Sequence, residues 1–151
     1  MAAALGQPLK TPALDYTETE VEKEGFDVTV EAQDLCPRYI AHYVYDVKLG
    51  QSPAWMRRRL ALVGNNSISN IVDITNYIMR ELGQPLHAFD CDYLEGNAIQ
   101  VRRANEGEKI ITLDEKEFTL NPSNLVICDG KKPVALAGIM GGLNSEIRDT
   151  T

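Results

Sequence analysis

Cysteine is scarce in this chain, and so is positive charge. Three cysteines, Cys36, Cys91 and Cys128, stand far apart in 151 residues. An odd number at wide spacing makes no disulfide framework and fits a reducing compartment. No two of them have the spacing of zinc ligands. Long apolar runs are missing as well, since nothing approaches the ~18 consecutive apolar residues of a membrane span. The opening MAAALGQPLK lacks a basic region followed by an apolar one, so no secretory signal is expected. Fifteen Lys and Arg against twenty-two Asp and Glu leave a formal charge of -7. A dedicated nucleic-acid-binding surface shows the opposite balance, and the chain is not expected to grip RNA tightly by itself. It can still receive an RNA end held elsewhere in a larger assembly.

What remains suits one globular domain with a real core, at 44% apolar content. Residues Met1 to Leu5 read as the end of a helix closed by Gly6 and Pro8, as though the chain continued one from upstream. The segment from Asp15 to Glu31 is acidic, with Lys23 its only base. It reads as a solvated linker entering a strand; its unanchored, alternating carboxylates make a metal cluster the weaker alternative. Phe26, Val28 and Val30 alternate with polar residues and predict a half-buried strand. After a turn at Cys36-Pro37-Arg38, residues Tyr39 to Leu49 read as a longer strand. His42 within it reads as a packed or surface side chain rather than a ligand.

Two helices are expected, near residues 53–63 and 70–82. Ser52-Pro53 caps and starts the first, with Trp55, Met56, Leu60 and Val63 as its apolar contacts. Arg57, Arg58 and Arg59 fan around it and cannot all face one phosphate. The second opens at Asn70 as N-cap, with Asp73 placed to reach back to the free amides. Ile71, Ile74, Ile78 and Leu82 form its apolar face. Gly83 stops it and Pro85 prevents a restart. Thr75 and Asn76 are odd in this setting, because both side chains compete for backbone groups. Either they form a network that fixes the following turn, or they border a ligand site between the helix and His87.

Short strands follow at Ile99–Arg103, Ile110–Leu113, Glu117–Leu120, Leu125–Cys128 and Val134–Ala137, the second and third forming a hairpin. Gly138, Gly141 and Gly142 then bracket Ile139 and Met140. The cluster lacks the Lys-Ser/Thr of a phosphate loop and opens no obvious helix. It reads either as a tight strand-to-loop crossing or as a pocket wall without side chains. Asn144 and Glu146 behind it are placed to cap, to pair with an arginine or to bind an amine. Many short strands with two helices give an α+β domain: mostly antiparallel strands in a sandwich-like sheet core.

Three tracts carry a resemblance: VDITNYIMRELGQPLHAFD (Val72 to Asp90), CPRYIAHYV (Cys36 to Val44) and VALAGIMGGLNSEI (Val134 to Ile147). Together they resemble the beta subunit of bacterial phenylalanyl-tRNA synthetase, in the B3 portion of its B3/B4 editing module. The resemblance implies a cytoplasmic enzyme that joins phenylalanine to its tRNA with ATP and Mg2+, assembled with an alpha subunit as an alpha2-beta2 tetramer. No cofactor is implied for this region itself. The module hydrolyses tyrosine wrongly attached to tRNA(Phe), because a hydrophobic synthetic site rejects an added hydroxyl poorly. By motif position the editing pocket takes in Thr75, Asn76 and Gly141 as substrate contacts. His87 orients the ester or a water, as a neutral imidazole both donates and accepts. Residues 1–34 are then the approach from a preceding domain, and 35–151 the B3 portion, ending before the B4 part that completes the pocket and holds its glutamate. Many relatives carry arginine where Asn66 stands here. The competing reading is a structural module of the synthetase without editing chemistry, and a general RNA-binding module is a third.

Overall fold

A computed structural model describes residues 2–10, 16–17, 26–148 and 151. The acidic residues Asp15, Glu18, Glu20, Glu22 and Glu24, like Met1, lie outside the described residues. Near the start, Ala3–Leu5 is a single 3-10 turn closed by Gly6 in the left-handed conformation.

The architecture is α+β, as the pattern of elements predicts. The strands are β1 Asp27–Val30, β2 Ala98–Arg103, β3 Lys109–Ile111, β4 Glu117–Thr119, β5 Leu125–Cys128, β6 Pro133–Leu136 and β7 Met140–Gly141; the helices are α1 Ala54–Leu62 and α2 Asn70–Leu82. Five strands make one sheet in the order β1-β2-β5-β6-β7, while β3 and β4 form a separate hairpin. All pairings are antiparallel except the parallel pairing of β1 with β2, in register Asp27 with Ala98 to Val30 with Val101. A bridge between Thr112 and Gly142 ties the hairpin to the end of the sheet.

Alternation explains which strand residues are inside. Ile99 and Val101 of β2, and Val126 and Cys128 of β5, are buried, whereas β6 lies between β5 and β7 and is buried at all four positions. One apolar cluster joins Ala104, Ile110, Leu120, Val126, Cys128 and Leu136. The other joins Leu94, Ile99 and Val134, with Phe26, Tyr39, Phe89 and Ile127 packed on it. Burial pushes the Cys128 thiol up to about 12, so this cysteine serves as a small apolar side chain. A bidentate Arg102–Glu108 pair, largely shielded from water, clasps β2 to the turn before β3.

The helices stand where predicted, but their starts are built differently. Ser69, not Asn70, caps α2 by accepting from the Val72 amide. Asn70 is already helical, and its amide reaches back to the Lys48 carbonyl. Ser52 does not cap α1, because its hydroxyl is given to Asp73. Met56 and Leu60 are the α1 residues buried, and Trp55 and Val63 stay exposed. The apolar face of α2 is the larger departure. Among its described residues only Asp73 is fully buried; Ile74 is 44% and Leu82 56% exposed. The predicted strand Tyr39–Leu49 is irregular chain without ladder partners, and Ile40 and Val44 are 61% and 68% exposed. β-branched and aromatic composition marks a segment that fits a pleated surface, but a strand exists only where a neighbour pairs with it.

Candidate functional site around His87

Two backbone anchors bring His87 to its place. Gly83 ends α2 in the left-handed conformation, its N–H on the Met79 carbonyl. Past Pro85 the chain runs on to Asp90, which is buried and whose N–H bonds the Ser145 carbonyl at 3.2 Å. The Asp90 carboxylate accepts from the Asp92 amide and from the Thr151 hydroxyl at 2.7 Å. Between these anchors the His87 ring meets Phe89 edge to face, with centroids 4.7 Å apart. Phe89 in turn packs on the Leu94–Ile99–Val134 cluster.

The opposite wall is β7. Gly141 pairs with Ala135, and the Gly142 N–H bonds the Val134 carbonyl at 2.7 Å. The buried Ser145 hydroxyl shares that carbonyl. Gly141 faces His87 so closely that a Cβ there would lie 2.2 Å from Cε1 and 2.5 Å from Nε2. No side chain fits between them, which is why the position must be glycine if the ring is to stay. The surrounding protein lowers the His87 pKa from its ordinary 6.5, because burial disfavours the charged ring. His87 is therefore neutral at pH 7, and although neighbouring atoms crowd its ring the residue as a whole is exposed to solvent. One ring nitrogen can donate and the other accept, as orienting a water or an ester requires.

The structure brings together His87 and Gly141 of the four residues named from sequence. Thr75 is half-buried on α2, and its hydroxyl donates to the Val72 carbonyl within the helix at 2.8 Å. Asn76 is half-buried beside it. Among the described residues no hydrogen bond or ring contact joins either to His87 or Gly141. Asn144 is a local tie, donating to the Pro133 carbonyl. Asn66 is exposed, and Arg80 brings a guanidinium to the same turn by donating to Asn65 at 2.9 Å. His42 lies at the surface.

Sequence reasoning underrated Asp73. It is fully buried and accepts from the hydroxyls of Ser52 and Ser67 and from the Ile68 amide at 2.9 Å. Burial works to raise its pKa, but those three hydrogen bonds and the Arg57 charge outweigh it and leave the carboxyl below the ordinary value. The signal was there: two serines just before two helices, and an acid early in the second. Among the described residues no group of three or more His, Cys, Asp or Glu is placed to hold a metal ion. No helix there is long and apolar enough to cross a membrane.

The B3/4 domain model matches residues 35–151. The chain belongs to the B3/4 domain family. Full-length similarity agrees: the chain is 56% identical over 155 residues to the phenylalanine–tRNA ligase beta subunit of Syntrophus aciditrophicus. It is 53% identical to that of Geobacter metallireducens and 51% identical to that of Moorella thermoacetica, each over 152 residues. All of this chain is covered in each case, and it spans 19% of the length of these relatives. The matched B3/4 range holds α1, α2, the strands from β2 to β7 and both walls of the His87 site, and β1 lies before it.

Proposed function

We propose that this chain is a portion of the beta subunit of a cytoplasmic phenylalanine–tRNA ligase and supplies one side of a hydrolytic pocket for mischarged Tyr-tRNA. The observation that carries this is the apposition of a neutral, solvent-exposed His87 with a glycine wall that leaves no side chain between them. In this reading His87 orients the water that attacks the ester carbonyl. The carbonyl carbon gains the water oxygen, the ester C–O bond breaks, and tyrosine leaves from the tRNA 3′ end with a proton delivered to the departing ribose oxygen. Gly141 gives the substrate a bare backbone surface. Thr75 and Asn76 are kept as substrate contacts that a bound tRNA end would engage from α2.

Residues 1–34 are taken as the approach to the domain and 35–151 as its B3 portion, with the B4 portion completing the pocket. The alpha subunit, in an alpha2-beta2 tetramer, carries the adenylation of phenylalanine. ATP and Mg2+ belong to that adenylation site.

The test is single-turnover Tyr-tRNA deacylation by the assembled enzyme, wild type against His87→Ala, with a melting curve for each. Loss of a transition-state contact of about 3 kcal/mol slows hydrolysis on the order of a hundredfold, while Phe-tRNA synthesis and melting stay near normal. The wild-type rate is expected to fall as pH drops below 6.5, through the depressed His87 pKa. A second reading, a scaffold without chemistry, is favoured by the open apolar surface of Ile40, Val44, Ile74 and Leu82. It requires equal deacylation by two equally folded proteins.

A further inference from the structure

The acidic chain carries one concentrated patch of the opposite sign. Helix α1 holds Arg57, Arg58 and Arg59 and no acidic residue. Trp55 on the same helix is 52% exposed, an unusual position for the largest aromatic side chain. It is held rather than loose. The Tyr77 ring of α2 meets it edge to face at 5.4 Å, and the Arg59 guanidinium lies over it at 5.4 Å. Arg59 also donates to the Tyr77 hydroxyl, which donates on to Glu81 at 3.1 Å. Arg59 is thus spent on fixing the aromatic pair. Arg58 makes no hydrogen bond or ion pair among the described residues. Ala54, Trp55, Arg58, Arg59 and Leu62 line a shallow open cavity of about 500 Å³.

We propose that this α1 surface binds single-stranded nucleic acid, one base lying on the Trp55–Leu62 floor and its phosphate on Arg58. Charge complementarity selects an anion, and the fork of a guanidinium matches phosphate oxygens. The preorganised indole adds a demand that charge alone does not explain. A base presents a flat face to stack on it, whereas an acidic peptide would use the arginines and leave the ring idle. Stacking needs a splayed base, so a duplex is a poorer occupant than a single strand. The net charge of -7 keeps the interaction weak and sensitive to salt. The inference does not depend on the His87 reading, because it concerns another surface and is read without any hydrolysis.

Trp55 is the only tryptophan, so intrinsic fluorescence of the 151-residue chain reports this surface alone. The chain is titrated with a single-stranded oligoribonucleotide, with the same sequence as a duplex, and with polyglutamate. Saturable quenching is expected with the single strand and weaker quenching with the duplex and the polyglutamate. With a labelled oligonucleotide read by anisotropy, Trp55→Ala should weaken binding about 5- to 100-fold. Arg58→Ala should weaken it and lower the slope of log affinity against log salt by about 0.7, and Arg58→Lys should recover part of the loss. Both side chains are exposed, and unchanged melting curves keep the comparison clean. Absence of quenching, equal binding by Arg58→Ala, or polyglutamate binding as well as RNA would each overturn the proposal, the last in favour of an acidic protein partner.

Discussion

A methyl group at position 141 would occupy the volume of the His87 ring, and this sets what Gly141→Ala does. The obstructing atoms are the far end of a side chain, so the ring swings out and the strand stays. The cost is about 1–2 kcal/mol of packing, and the freed imidazole loses the burial that lowers its pKa. An NMR titration of the variant should show the His87 pKa back near 6.5, with β7 shifts little changed. An unchanged, depressed pKa would mean that the ring is not held by this wall. The pairing of these two residues was legible only through the resemblance. Spacing alone left the glycines open between a crossing and a wall, since they lie more than fifty residues from His87 and only the fold joins them. Thr75 shows the limit in the other direction. Its polarity mid-helix is met inside the helix by the Val72 carbonyl, an outcome periodicity cannot separate from a ligand contact.

At the scale of elements, the two helices are joined by a polar hub as well as by the contact of Trp55 with Tyr77. Asp73 of α2 gathers the hydroxyl before α1, the hydroxyl before α2 and the Ile68 amide between them. Asp73→Ala leaves three donors without their shared acceptor, and a loss of about 3 kcal/mol is expected, read as a drop in denaturant midpoint at constant slope. Asp73→Asn should recover part of it, because the amide oxygen still accepts; an alanine variant as stable as wild type would show that water replaces the carboxylate. Helix positions and most strands were legible because caps, breakers and alternation act locally. Ser52 and Asn70 were misassigned for a related reason: a small polar residue before a helix suits both capping and a longer reach, and only the partner decides. The segment Tyr39–Leu49 and the open face of α2 failed together. Each has the composition of a buried element, and burial depends on what lies opposite, which no local pattern encodes.

For the whole molecule, acid is the informative stress. Hydrogen bonds from the Lys131 and Lys132 ammonium groups bring the Glu95 pKa down from 4.5 to about 2. The carboxyl of Glu108 is also lowered, foremost by Arg102, and that of Asp114 by Lys116. Folded values below unfolded ones mean that the folded chain binds fewer protons, so this stability is complete above about pH 4.5 and is lost as pH falls toward 2. The melting temperature should therefore hold from neutrality to about pH 5 and fall steadily below it, with added salt erasing the share of the exposed Glu95 and Asp114 pairs first. A flat profile down to pH 3 would remove these pairs from the account. The parallel edge strand has a consequence in time. β1 must wait for β2, about seventy residues later in the chain, and the intervening helices have to close that loop before a single ladder bond forms. The N-terminal strand should then be the last part to dock and the first to leave. Native-state hydrogen exchange should find the Thr29 and Glu31 amides, the ones turned toward β2, opening at a lower free energy than Val126 at the sheet centre; equal protection would mean that the edge and the centre come apart as one unit.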